Sequence, residues 1–114
     1  MVNLPSVNFE FDRAELTSEG RNRVNQIASI VNRQAPGRRL SVEGHASRER
    51  ADQEAYNQQL SERRARTVAD SLGADGVDRG RVTSRGLGTA SPVASNDSEE
   101  GRRRNRRVEV IIEN

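Results

Sequence analysis

The apolar positions change period along the chain, and the changes mark out its elements. Val7, Phe9 and Phe11 alternate with Asn8 and Glu10, which predicts a strand over 6–11 with one buried face. Val24, Ile27, Ala28 and Val31 then recur at spacings of three and four, predicting a helix over 18–34. Thr17 and Ser18 suit its N-terminal cap, and Pro36-Gly37 supplies its stop. Leu40 and Val42 alternate with Ser41 and Glu43 up to Gly44, a second short strand. A second helix is expected over 53–72, ending near Gly73 in a left-handed cap. Residues 82–85 read as a weaker strand before a turn at Gly86-Leu87-Gly88. The segment 89–98 reads as a loop, with a helical turn within 97–106. Val108, Val110 and Ile112 alternate in a last strand.

A strand, a helical crossover and a second strand favour parallel pairing with a right-handed connection. The sum is an α/β fold: a two-layer sandwich of a mixed, roughly four-stranded sheet with two main helices, in the order β-α-β-α-β-β. At 114 residues, one domain covering 1–114 is expected, with no linker and no repeat. Ligands of such open sheets tend to sit beyond the carboxyl ends of the strands. If the first two strands lie side by side, Asp12, the 45–52 loop and the first turns of the second helix converge on one pocket.

One residue breaks the helical pattern. At about 100° per residue, Asn57, Leu60, Ser61, Arg64, Ala65, Val68 and Leu72 share a face, whereas Arg63 and Arg66 point elsewhere. Arg64 thus falls on the stripe that packs against the protein. A guanidinium does not deprotonate there, and desolvating it unpaired costs several kcal/mol. It calls for an internal carboxylate, a path to water or a ligand anion.

Composition narrows the chemistry. The nineteen basic residues are all arginine, seventeen acids nearly balance them, and only Phe9, Phe11 and Tyr56 are aromatic. A nucleic-acid-binding chain would show a larger positive excess and more stacking rings, so no nucleic-acid partner is expected, despite the run Arg102-Arg103-Arg104-Asn105-Arg106-Arg107. Cysteine is absent, which leaves no disulfide or thiolate metal site. His45 is the sole histidine; multi-histidine metal sites are excluded, and it is expected to brace its turn by hydrogen bonds rather than to catalyse. Neither enzyme activity, metal nor cofactor is expected. No segment is long enough to span a bilayer, so any membrane attachment would come from parts of a parent protein outside this sequence.

Several motifs act together. Phe9-x-Phe11-Asp12 with Ala14 and Leu16, Val42-Glu43-Gly44-His45, and Tyr56-Asn57-x-x-Leu60-Ser61-x-x-Arg64-Ala65-x-x-Val68 are followed by Gly86-Leu87-Gly88, Pro92, Asn96, Glu100-Gly101-Arg102 and Asn105-Arg106-Arg107-Val108-Glu109. This set resembles the OmpA-like family, the peptidoglycan-binding domain of outer-membrane protein A, peptidoglycan-associated lipoprotein and flagellar stator proteins, over nearly the whole chain. The resemblance implies noncovalent binding of the peptidoglycan stem peptide through its diaminopimelate residue, anchoring a larger envelope protein from which this domain was excised. It implies a periplasmic, outer-membrane-associated setting in a diderm bacterium. Arg64 would take the ligand carboxylate through its guanidinium fork, with Asp12, Asn57, His45, Ala46 and Ser47 shaping the pocket. Oligomeric state stays open.

Ser47 departs from the family pattern. An aspartate usually stands here to receive the ligand ammonium, and the loop that follows is about two residues longer in this chain. A neutral hydrogen bond contributes about 0.5 to 1.5 kcal/mol against about 1.5 to 3 for a charged one, so weaker binding is the default expectation. Three accounts remain: Glu49, Asp52 or Glu54 supplies a replacement carboxylate; the pocket has shifted to another ligand; or the fold persists as a protein-interaction domain that has lost diaminopimelate.

Overall fold

The computed structural model describes residues 4–49 and 53–113. Strands β1 (Val7–Asn8), β2 (Leu40–Gly44), β3 (Val82–Gly86) and β4 (Arg107–Ile112) form one sheet. Helices α1 (Ser18–Gln34) and α2 (Glu54–Ala74) pack on it, a short α3 (Glu99–Asn105) precedes β4, and a 3-10 turn at Arg79–Arg81 leads into β3. The core lies between sheet and helices, where Val24, Ile27 and Val31 of α1 meet Leu40, Val42, Val108, Val68 and Leu72, all fully buried.

Local chemistry accounts for most boundaries. The Thr17 hydroxyl accepts from the Gly20 amide at 2.9 Å and starts α1, and Gly37 turns the chain after it at φ 75°. Helix α2 runs past its expected end: Gly73 is helical, the cap is Asp75, and the left-handed residue is Gly76 at φ 99°. Strand β1 is much shorter than 6–11. Beyond Asn8, arginine side chains take the carbonyls that a neighbouring strand would need: Phe9 O accepts from Arg106 Nε, and Glu10 O and Arg13 O accept from Arg64. Val7 and Phe9 are buried as the alternation implies, but Phe11 stands 59% exposed.

The strand order is β1-β4-β2-β3, which corrects the expectation that the first two strands are neighbours. β4 lies between them, antiparallel to both, while β2 and β3 pair in parallel across the α2 crossover. The carboxyl ends of β1 and β2 therefore still emerge on one edge, with the amino end of β4 between them. That inversion brings Arg106 to the expected pocket.

Two glycines set how closely α2 approaches. Gly44 and Gly86 sit opposite each other in register, and a methyl group on either would collide with the α2 backbone at Ser61 or Glu62. Ser61 uses the space: its hydroxyl donates to Gln58 O and accepts from the Gly88 amide at 2.9 Å. At the other end, the Asn105 carboxamide accepts from the amides of Val93 and Ala94 and donates to Ala94 O and Asn96 Oδ1, fastening the 89–98 loop to α3. Gly44→Ala must push α2 off the sheet and should cost about 2 kcal/mol or more, read as a lowered urea midpoint with unchanged slope.

Candidate ligand site at the sheet edge

Arg64 is fully buried, and within the domain its charge is met by backbone carbonyls rather than by a carboxylate of the described residues. Its guanidinium donates to three backbone carbonyls: Arg13 O at 2.8 Å through Nε, His45 O at 3.1 Å through Nη1, and Glu10 O at 3.1 Å through Nη2. The Phe9 ring lies against it, with the guanidinium carbon 5.4 Å from the ring centroid. Burial, reinforced by the like charge of Arg106, pulls the Arg64 pKa down to about 10, so the group stays cationic at neutral pH. It forms no salt bridge among the described residues, and its remaining N–H capacity borders a narrow cavity of about 30 Å³.

Phe11, Asp12, Ser47, Glu49, Tyr56, Asn57, Arg64 and Arg106 line this cavity, together with Gln53 and Leu60. The structure thus brings together Asp12, Ser47, Asn57 and Arg64 from the sequence reading, and Glu49 from the replacement carboxylates. Glu49 occupies the region that Ser47 leaves uncharged: the Ser47 hydroxyl donates to its carboxylate, Arg102 lies 3.3 Å away and Arg106 3.8 Å away. Two arginines and two carboxylates therefore face one opening, as a ligand end bearing both an ammonium and a carboxylate requires.

Arg106 was not singled out as a site residue. It is 2% exposed, pairs with Glu99 at 3.0 Å, and leaves Nη1 without a hydrogen bond among the described residues. This contact holds the Glu99 carboxyl below its usual range. The signal available in sequence was the arginine run, which periodicity alone could not divide into surface and site. Asn57, which also lines the cavity, is 3% exposed, and its Nδ2 lacks a hydrogen-bond partner among the described residues. Asp12 takes a left-handed backbone, φ 60°, and accepts from the Tyr56 hydroxyl.

Other expected residues fall elsewhere. Glu54 turns to Thr89 at 3.0 Å and Arg48 at 3.4 Å and does not line the cavity; Asp52 lies outside the described residues. Ala46 is buried and donates its amide to Gly88 O. His45 braces its turn through its backbone, accepting from Arg64 and donating to Arg107 O, but not through its ring. Both ring nitrogens are buried without a hydrogen bond among the described residues. Its ring follows Ser41 and Glu43 in the strand alternation, away from α2, so proximity in sequence to Ser47 does not bring it to the cavity. Among the described residues, no group of three or more His, Asp or Glu side chains is arranged to hold a metal ion, and no helix is long and apolar enough to cross a membrane.

The fold that carries this site is shared with known proteins. The OmpA family model matches residues 8–106. The chain belongs to the OmpA family. It is 42% identical over 108 residues to outer membrane porin F of Pseudomonas aeruginosa, covering 94% of this chain and 30% of that protein. It is 36% identical over 104 residues to the peptidoglycan-binding protein ArfA of Mycobacterium tuberculosis, covering 91% of this chain and 31% of that one. The peptidoglycan-associated lipoprotein of Burkholderia pseudomallei superposes with a TM-score of 0.84 at 26% identity, over 95% of this chain and 89% of that one. The chain thus spans less than a third of porin F and ArfA and nearly all of the lipoprotein structure. The α/β sandwich is the OmpA-like fold.

Two stability measurements test the site's physical basis. Arg64→Ala orphans three carbonyls from two segments and should cost about 3 to 5 kcal/mol in urea unfolding. His45 has its pKa lowered, first by burial and then by Arg107, with Glu109 and Glu43 opposing. The unfolded chain therefore takes up this proton first, and stability falls as pH drops below the ordinary histidine value of 6.5 towards the folded one. Melting temperature should decline from about pH 7.5 to about pH 5.5, and His45→Asn should flatten that slope.

Proposed function

We propose that this domain is a nonenzymatic cell-wall-binding module that holds the diaminopimelate residue of a peptidoglycan stem peptide, as part of a longer envelope protein in the periplasm of a diderm bacterium. In this reading Arg64 and Arg106 receive the terminal carboxylate, and Glu49 and Asp12 receive the ammonium. Asn57 adds one donor. Glu49 replaces the aspartate expected at Ser47, and the Ser47 hydroxyl orients it.

The observation that supports this most is the meeting of Glu49 with Arg64 and Arg106 around one small opening. Among the described residues the buried Asn57 Nδ2 and Arg106 Nη1 have no hydrogen-bond partner, and both residues line this opening, which suits a ligand that would supply one. The family relationship supports the same reading through two relatives whose names include peptidoglycan binding or association. Binding must compete with the existing Glu49–Arg102 and Glu49–Arg106 pairs, so modest affinity is expected.

Calorimetry with a diaminopimelate-containing stem peptide tests the assignment. Glu49→Gln should weaken binding about tenfold, the equivalent of about 1.4 kcal/mol for one charge-assisted bond. Adding Ser47→Asp to Glu49→Gln should restore much of the loss, because a carboxylate returns without a second one beside it. Unchanged binding by Glu49→Gln would remove Glu49 from the site. A lysine-type stem should bind more weakly than the diaminopimelate type, since it lacks the carboxylate that Arg64 and Arg106 would hold.

A further inference from the structure

The face of the sheet turned away from the helices carries a polar ladder that the ligand site does not use. Continuing the β2–β4 register, His45 stands opposite Arg107, and the next pair on the same face is Glu43 with Glu109. Arg85 pairs with Glu43 at 2.6 Å, and Arg107 with Glu109 at 2.6 Å. His45 is the member whose side chain has no partner: its ring is buried, and both nitrogens lack a hydrogen bond among the described residues. Leaving a buried polar group unpaired costs about 1 to 3 kcal/mol, so stability alone does not account for a histidine here.

Arg107 clasps the loop after β3 to this face. Its buried guanidinium donates to Ser91 O at 3.0 Å through Nη2 and to Asn105 O at 3.4 Å through Nη1. Asn105 in turn accepts from the amides of Val93 and Ala94 and donates to Asn96. Asn96 reaches the ligand side. Its side-chain oxygen accepts from the Arg48 amide at 3.1 Å and its carbonyl from Arg102 at 2.8 Å, and Arg102 lies 3.3 Å from Glu49. A chain of bonds thus runs from the back of the sheet to the carboxylate at the opening.

A proton on His45 would set two cations side by side in a buried pair. Arg107 opposes the charged ring, as burial does, while Glu43 and Glu109 favour it. Of these groups, Arg107 is the one bonded to the loop. We propose that His45 is an acid-sensitive latch: once protonated, the ring takes over the Glu43 and Glu109 carboxylates and displaces Arg107, which releases Ser91 and Asn105 and loosens the 88–98 loop. With the loop open the ring is hydrated and takes up its proton near the ordinary value of 6.5, so acid favours opening below that pH and not above it. Asn96 and Arg102 then no longer hold Glu49 in place. That last effect rests on the cell-wall-binding reading; the loosening of the loop does not.

Nuclear magnetic resonance on the intact domain tests the latch, since the sole histidine gives an unambiguous imidazole signal. From about pH 7.5 to about pH 5.5, exchange protection of the Val93 and Ala94 amides should fall about fivefold, by an opening insensitive to low urea. The Arg81 amide, in the turn at the other end of the sheet, should hold its protection to within about twofold over the same range. His45→Asn should remove the pH dependence at Val93 and Ala94, and Glu43→Gln should move the imidazole titration and the loop transition together to lower pH. The latch is overturned by loop protection that stays constant through the imidazole titration, by a fall that persists in His45→Asn, or by one that follows urea as global unfolding does. Calorimetry with the diaminopimelate-containing stem peptide, over the same pH range, should show about threefold weaker binding in acid for the parent and less change for His45→Asn. If the peptide binds at neither pH, the cell-wall reading fails while the loop amides still decide the latch. If the loop loosens and affinity changes equally in parent and His45→Asn, the link to Glu49 is wrong.

Discussion

A buried cation that no carboxylate of the described residues pairs with organises this domain. Arg64 lies on the inner face of α2, and desolvating it would cost several kcal/mol if nothing answered its charge. The carbonyls of Glu10, Arg13 and His45 answer it, and each comes from the chain just beyond a strand. Bonds from a charged donor contribute about 1.5 to 3 kcal/mol each, enough to offset the burial and to fasten helix, first strand and second strand at one point. The same bonds cost β1 its length, because the carbonyls they use are lost to the ladder. Structure and site are therefore one arrangement: the group that closes the sheet edge also provides positive potential at the opening there.

The glycine pair and the inverted strand make that arrangement possible. Gly44 and Gly86 let α2 come down onto β2 and β3, which lowers Arg64 to the level of the strand ends. β4 enters between β1 and β2 in the opposite direction, so its first residues arrive where theirs finish. Arg106 stands beside Arg64 for that reason, and its like charge adds to burial in lowering the Arg64 pKa. Glu49 and Glu99 moderate this charge from opposite sides, the first from the loop after β2 and the second from α3. Such a cluster is costly to leave unmatched, and under the proposed function a zwitterionic ligand end would complete it.

Much of the fold was legible because its core obeys simple periods. The α1 stripe and the buried face of α2 coincide residue by residue with the three-and-four spacing, and β2 with the alternation of Leu40, Val42 and Gly44. Boundaries set by side chains from far along the chain were not legible. β1 stops early because Arg64 and Arg106 claim its carbonyls, and Gly73 stays helical because the turn was left to Gly76. The off-pattern Arg64 and the unusual Ser47 both line the cavity at the sheet edge, and Glu49, which joins them there, was among three acids that spacing could not separate. Glu54 is drawn away by Thr89 and Arg48, which no local pattern encodes.

The sequence by itself determined the family, the α/β order of elements, the placement of a charge on an apolar helix face, and the absence of an aspartate at position 47. These follow from local chemistry: period, caps, turn residues and residue type. Only the tertiary structure decided that β4 separates the first two strands, that backbone carbonyls rather than a carboxylate satisfy Arg64, that Arg106 joins it, and that Glu49 approaches Ser47. Each of these depends on contacts between residues tens of positions apart, and such contacts are selected by how the helix and strands pack. A periodic pattern records which face of an element is buried, but not which groups will meet it there.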